Sequence, residues 1–294
     1  MNGKLYIVAT PIGNLGDMTQ RAVDILRECD IIAAEDTQNS MTLLAKFDIK
    51  TKLASNHKFN EINSSEYFIR ELLNGRNIAV ISDAGTPCIS DPGNILVGKA
   101  LENHIDVIGI PGACAAVAAV SISGFDVKSF VFEGFFPREN AEIKKTAQKL
   151  KNSPGVYIFY ESPKRIIKTF EFFAVNLPNC NICLCNDLTK KFEKIYRGSP
   201  AGVLHELISN PSAEKGEYTV VVETVGADGS VRPQPPQSVE SIIVDVMLKQ
   251  KCTVKDAINY ISSDSAYNFS KNDVYAASLN LKKMFDLTQK KQNY

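Results

Sequence analysis

Apolar positions in the first half of the chain come as short continuous runs, separated by polar loops and by stretches of helical spacing. Lys4 to Ala9, Ile31 to Ala34, Ile78 to Ile81 and Val107 to Ile110 each read as a strand buried on both faces of a parallel sheet. Between them Thr19 to Glu28, Met41 to Phe47, the segment around Tyr67, Phe68, Leu72 and Leu73, and Gly93 to Glu102 have helical spacing. This alternation predicts a parallel, doubly wound α/β sheet. In the second half Phe130 to Phe135, Val156 to Tyr160, Ile182 to Cys185 and Tyr218 to Glu223 are aromatic or β-branched runs that predict strands with helices between them. Ser162 and Pro163, followed by Ile166, Ile167 and Phe170, predict a helix start that leaves Glu161 at a strand-to-helix junction. Gly226 to Gln237 has linker composition. Beyond it three short helices are expected, at Val239 to Lys249 and after the caps Thr253–Asp256 and Ser270–Asp273. Their apolar faces would be Ala257, Ile258 and Ile261, then Val274, Leu279, Leu281 and Phe285.

The strand ends carry the chemistry. Ile78 to Ile81 runs directly into a loop of glycine, proline and two aspartates that ends at Gly93, and ligands of open α/β sheets bind beyond the carboxyl ends of strands. Gly85 and Gly93 let backbone approach a ligand, Pro87 and Pro92 stiffen the loop, and Asp83 and Asp91 can hold hydroxyls or an ammonium group. The plainer reading is that Asp, Gly and Pro make turns after strands. Thr10 to Asp17 follows the first strand, and Glu35, Asp36 and Thr37 follow the second. Neither the P-loop pattern nor the glycine fingerprint of dinucleotide binding occurs in this half, so neither motif supports nucleotide hydrolysis or hydride transfer.

Charge and cysteine usage narrow the picture. The formal net charge is zero, yet between Arg138 and Arg197 twelve lysines and arginines face six acids. One basic region in a neutral chain suits a polyanion partner, against the alternative of ordinary solvating lysines. Seven cysteines, an odd number with no visible secretory signal, favour a reducing cytoplasm. Ile105 to Phe125 is broken by Pro111, Gly109, Gly112 and Gly124, so it reads as strand, loop and small-residue helix rather than a membrane span. Cys180, Cys183 and Cys185 lack the further ligands of a closed zinc site, and Cys183 and Cys185 share one face of a strand. Of His57, His104 and His205, His57 is the best placed for acid–base work.

TPIGNLGD at Thr10 to Asp17, AAEDT at Ala33 to Thr37, SDAGTPCISDPG at Ser82 to Gly93, IPGACAA at Ile110 to Ala116, EGFFPR at Glu133 to Arg138, FYESPKR at Phe159 to Arg165, LTKKFE at Leu188 to Glu193 and KGEY at Lys215 to Tyr218 together resemble the tetrapyrrole-methylase superfamily. Within it they are similar to the bacterial branch that moves a methyl group from S-adenosylmethionine to the ribose 2'-hydroxyl of a decoding-centre cytidine in 16S ribosomal RNA. The resemblance, which runs to Gly226, implies two α/β lobes with the donor cleft between them, residues 1–116 and 117–226, in a homodimer; the residues beyond add a linker at 227–237 and a small helical domain at 238–294. It implies donor binding by Pro11, Asp83, Gly85, Thr86, Pro87, Ile89, Asp91, Gly112 and Ala115. Glu35, Asp36 and Glu161 become candidate bases or orienting groups, with Arg165 and Lys190 as electrostatic partners, and no metal is expected. The implied partner is 16S rRNA or the small ribosomal subunit. The chain departs from the family pattern at Gln38, Phe59, Lys164, Asn186 and Asp187. A small-molecule methyltransferase of tetrapyrrole type and a non-catalytic RNA-binding relative are the alternatives; the three C-terminal helices resemble a helix-turn-helix module, with an appendage that packs or steadies a dimer as the alternative.

Overall fold

The computed structural model describes residues 2–57, 60–225, 238–263 and 269–291, and for 284–291 the backbone alone. Phe59 and the expected linker therefore lie outside the described residues. The chain divides into two compact units, Met1–Arg232 and Pro233–Tyr294.

The first unit opens with β1 (Leu5–Val8), α1 (Gln20–Glu28), β2 (Ile31–Ala34), α2 (Thr37–Lys46), β3 (Lys52–Ser55), α3 (Glu61–Leu73), β4 (Ile78–Ile81), α4 (Asn94–Glu102) and β5 (Val107–Ile110). These five strands form one sheet in the order β3-β2-β4-β1-β5, parallel throughout. Alternate residues of each strand go to opposite faces. Ile32, Ala34, Ala79 and Ile81 pack with Ala22, Val23 and Leu26 of α1 and Leu44 of α2. Ile31, Ala33, Ile78 and Val80 pack with Phe68 and Leu72 of α3 and Leu96 and Ala100 of α4. Both faces are covered, which is why these strands read as unbroken apolar runs. Two boundaries differ from the expectation. The second helix begins at Thr37 rather than Met41, because Asp36 accepts from the N–H groups of Gln38 and Asn39 and so fixes its first turn. Residues 52–55, which the apolar pattern assigns to no element, are an edge strand.

The second sheet follows α5 (Ala115–Ser121) and comprises β6 (Phe130–Phe135), β7 (Gly155–Glu161), β8 (Asn181–Asn186), β9 (Lys194–Gly198) and β10 (Tyr218–Thr224), in the order β6-β7-β10-β8-β9. Only β6 and β7 run parallel; the other pairs are antiparallel. α6 (Asn140–Asn152), α7 (Ile166–Asn176) and α8 (Pro200–Ser209) connect them. One face carries Tyr157, Phe159, Ile182, Leu184, Val220 and Val222, buried against Phe170 and Phe173 of α7 and Val203 and Leu207 of α8. Each buried phenylalanine contributes about 1.5–3 kcal/mol relative to exposure. The other face, Val156, Ile158, Cys183, Cys185 and Val221, packs on Ala116 and Ala119 of α5. The expected boundary at residue 116 thus falls inside a helix that leaves the first sheet and packs on the second. The helix expected to start at Ser162 and Pro163 starts later: Ser162 to Arg165 form a turn, with Arg165 N–H donating to the Ser162 carbonyl, and the helix begins at Ile166.

The second unit contains α9 (Val239–Gln250), α10 (Val254–Ser263) and α11 (Lys271–Lys291) around Ile242, Ile243, Val246, Ala257, Ile258, Ile261, Val274 and Ala277. Both expected capping pairs form: the Thr253 hydroxyl donates to Asp256 at 2.6 Å and the Ser270 hydroxyl to Asp273 at 2.7 Å. Leu279 is exposed, a correction to the expected apolar face, because the inward stripe of α11 runs Val274, Ala277, Leu281. Phe285 lies among residues whose side chains are outside the description. No described helix is long and apolar enough to cross a membrane.

Candidate functional site

The parallel register places the carboxyl ends of β1, β2, β4 and β5 along one edge, with Val8 opposite Ile110 and Ala34 opposite Ile81. Their loops are tied to one another mainly through backbone. Thr10 and Gly85 exchange both hydrogen bonds, at 2.8 and 3.1 Å, and the Thr10 hydroxyl donates to the Ser82 carbonyl at 3.2 Å. The Thr86 hydroxyl donates to the Ala113 carbonyl at 3.2 Å. Gly85 has φ +79°, and a Cβ there would meet Ile12 Cγ2 at 3.2 Å. A Cβ on Gly112 would stand 2.8 Å from that of Ala9. From behind, the buried Glu61 carboxylate of α3 accepts from the N–H groups of Gly93 and Ile95 at 2.7 and 3.1 Å, capping α4 where Gly93 offers no side chain.

These loops face the end of the second sheet across a cavity of about 430 Å³. On the first side it is lined by Ile12, Glu35, residues 83–86, residues 89–91, Cys114 and Ala115. On the second side stand Phe135, residues 160–163, Leu188 and residues 217–219. Glu35, Asp83 and Asp91 put three carboxylates on the first wall. Burial, then the charges of Asp91 and Asp83, push the Glu35 carboxyl above its ordinary value. Burial likewise raises Asp91, against a hydrogen bond from Ser82 and together with the charge of Asp83. The Asn39 amide donates to Asp83 at 3.2 Å. Tyr160 stands edge-on to Phe132 and Phe135, and burial pushes its phenol up to about 12.

The second wall is braced by side chains. Glu161 is buried, one oxygen accepting from Ser162 N–H and the other from the Thr169 hydroxyl, both at 2.7 Å, with Arg165 at 3.3 Å. Arg165 also donates to the Phe136 and Pro137 carbonyls. Lys190 Nζ lies 2.7 Å from Glu217 and 3.0 Å from Asp187. Burial works against its charge, but those two partners outweigh it and raise its pKa. The walls are stitched at one end: Asn14 N–H donates to Thr189 Oγ1 at 3.2 Å, and a Cβ on Gly13 would meet Lys190 Cγ at 2.4 Å. Asp187 and Thr189 hold φ of 52° and 67° in this turn, a left-handed conformation uncommon for residues other than glycine.

Glu35, Asp83, Gly85, Thr86, Ile89, Asp91, Ala115 and Glu161 therefore converge on the cavity. Pro11 and Pro87 are buried within the loops, Gly112 stands beside Ala9, Asp36 is the α2 cap, and Arg165 and Lys190 sit just outside the lining. Tyr160, Cys114, Asn39 and Glu217 were not singled out by sequence. The resemblance motifs contain all but Asn39, but an aromatic in a strand run reads as core. Among the departures, Asn186 donates to the Lys215 and Glu217 carbonyls, Asp187 accepts from Glu217 N–H, Lys164 is exposed, and Gln38 lies in the first turn of α2. All seven cysteines are free, with Cys183 and Cys185 Sγ atoms 4.0 Å apart. Among the described residues no group of three or more His, Cys, Asp or Glu side chains is arranged to hold a metal ion.

Residues 4–202 match the family model of tetrapyrrole (corrin/porphyrin) methylases. The chain is 40% identical to ribosomal RNA small subunit methyltransferase I of Halalkalibacterium halodurans, over 93% of each chain. It is 37% identical to the protein of the same name from Haemophilus influenzae, over 92% of this chain and 96% of the other. Among solved structures it is similar in fold to diphthine synthase, with TM-score 0.59 at 12% identity over 77% of this chain and 92% of the other. The corresponding values for a cobalt precorrin-4 methyltransferase are 0.56, 15%, 74% and 94%. With its parallel sheet, its second mixed sheet and the cavity between them, the chain belongs to the tetrapyrrole methylase family, and within it to the ribosomal RNA small subunit methyltransferases I.

Proposed function

We propose that this chain methylates small-subunit (16S) ribosomal RNA at the ribose 2'-hydroxyl of a decoding-centre cytidine, with S-adenosylmethionine as donor. The observation that carries the reading is the carboxylate-rimmed cavity at the edge of a parallel sheet, in a chain whose relatives are named for rRNA methylation. The residues fit the donor. A cavity of about 430 Å³ is in the range of small-molecule sites, its apolar wall of Ile12, Ile89 and Ala115 suits an adenosyl group, and three carboxylates suit a compound bearing a sulfonium and an ammonium. When bound, the donor supplies an activated methyl group.

The protein's own task is alignment and proton handling. Gly85, Thr86, Ile89, Asp91 and Ala115 form the donor seat, with Pro11, Pro87 and Gly112 shaping its backbone. Of the two cavity carboxylates with raised pKa values, Asp91 belongs to the donor seat and Glu35 is the one assigned to accept the proton of the ribose hydroxyl. Glu161 and Asp36 are already engaged by backbone and side-chain donors, so they position rather than react. Lys190, held by Glu217 at the rim, provides a cation that favours the developing alkoxide. The chain acts in the cytoplasm as a homodimer, a reading supported by free cysteines and by Phe130 and Val131 left exposed on the edge strand β6.

The test is mass-mapped ribose methylation of small-subunit RNA from a strain lacking this protein, incubated with purified chain and labelled donor. Incorporation at one decoding-centre ribose, with E35Q lowering the rate at saturating donor, is the expected result. No incorporation on naked RNA or assembled subunits, with donor binding intact, would overturn it in favour of a small-molecule acceptor.

A further inference from the structure

Behind the second wall of the cleft lies a groove of about 530 Å³ between the start of α6 and the outer side of α7. Arg138, Lys144, Arg165 and Lys168 line it, and no carboxylate does. Glu139, Glu142 and Glu171 occur on the same segments but not in the lining. Among the described residues Arg138, Lys144 and Lys168 have no acidic group within ion-pair distance, in contrast to Lys149, which pairs with Glu133, and Lys190. Three exposed cations share one concavity without a counter-charge of their own, a local field that favours an anion there. The amino ends of α6 and α7 have no side-chain cap; Glu139 and Glu142 stand at the first and Arg165 at the second.

The groove is continuous with the cleft wall. Two segments pass from one to the other: Phe135 faces the cleft while Phe136 and Arg138 face the groove, and Glu161 to Pro163 face the cleft while Arg165 and Lys168 face the groove. Arg165 pins these segments together through the Phe136 and Pro137 carbonyls and the Glu161 carboxylate. Its own donors are thereby largely used, leaving Arg138, Lys144 and Lys168 for a ligand.

We propose that this groove is the docking track for the phosphate backbone of the substrate RNA, with Arg138, Lys144 and Lys168 contacting phosphates next to the nucleotide held in the cleft. This rests on the RNA-methylating reading. Charge complementarity selects the occupant: a polyanion releases counterions at each contact, so the groove contributes affinity that depends on salt and carries no sequence information.

The experiment measures binding of the full chain to a labelled decoding-region RNA by fluorescence anisotropy between about 50 and 200 mM salt. It compares the parent with R138Q/K144Q/K168Q and with K4Q/K46Q/K52Q, an equal charge change at exposed positions distant from the strand-end loops. The groove variant is expected to reduce the slope of log affinity against log salt by about 2, three contacts at about 0.7 each, and to raise KM for RNA while donor affinity and melting temperature hold. The control variant is expected to keep the parent slope. A groove variant with the parent slope, or a control variant that loses as much, overturns the proposal. If the parent binds RNA through the groove but transfers no methyl group to it, the reading of the reaction fails instead, so the two failures are distinct.

Discussion

The two walls of the cleft are built on different principles. On the first, backbone holds backbone: Thr10 and Gly85 form a two-bond bridge, and glycines admit close approaches no other residue would permit. On the second, buried or paired charges hold the loops, through Glu161 with Thr169 and Arg165, and Lys190 with Asp187 and Glu217. Topology explains the contrast. In a parallel sheet every carboxyl end arrives at one edge, so the loops crowd together and can brace each other directly. In the mostly antiparallel second sheet, ends of β7 and β8 alternate with the start of β10, and sparser loops need side chains to span between them. Under the proposed function, the backbone wall is the donor seat and the charged wall the acceptor side.

Gly85→Val is the most severe way to break the first wall. It combines a left-handed backbone with contact against Ile12, and displacement of the seat by about 1 Å costs on the order of a hundredfold in rate. Donor affinity by calorimetry should fall with kcat/KM, and a fall in turnover alone would separate this loop from the donor. Glu161→Ala attacks the second wall. It strands the Thr169 hydroxyl and Arg165 and should lower stability by about 3 kcal/mol in urea unfolding, with Glu161→Gln milder. Unchanged stability with abolished turnover would make Glu161 a reacting group rather than a brace.

A smaller effect sharpens the comparison through pH. Glu35 and Asp91 have raised pKa values, so at low pH they are protonated and offer a cationic donor nothing. Donor affinity should rise, by about tenfold or less, as pH climbs through their shifted range, then level off. The stability term has the opposite sign. The unfolded chain releases these protons first, so their contribution to folding falls as pH rises from the ordinary carboxylate value to the raised ones. E35Q/D91N should flatten both profiles, and a persistent pH slope in donor affinity would assign it elsewhere.

Legibility in the sequence followed burial. Ile31 to Ala34 and Ile78 to Ile81, covered on both faces, announce themselves as apolar runs. The edge strands Lys52–Ser55 and Lys194–Gly198 carry charged residues and half-exposed positions, and so resemble loops. Thr37 to Asn39 begin a helix without one apolar residue; only the Asp36 cap marks it. Leu279 is apolar, which suggests an inward position, but its phase on α11 turns it out. At the site, glycines, prolines and aspartates at strand ends were readable from local chemistry. The engagement of Glu161, the reach of Lys190 across Gly13 and the place of Tyr160 depend on contacts between distant segments, which spacing does not encode.

The helix Ala115–Ser121 has a consequence for how the protein can be dissected or inherited. It is spliced directly after the last strand of the first sheet, yet its small side chains complete the core of the second. A cut after it would uncover Val156, Ile158, Cys183 and Val221 on one fragment and leave an orphaned apolar helix on the other, while a cut before it keeps the helix with the core it completes. Any joint between the two sheets that spares both cores therefore has to pass between Ile110 and Ala115, beside the Cys114 and Ala115 that line the cavity, so a graft there trades stability for the shape of the site.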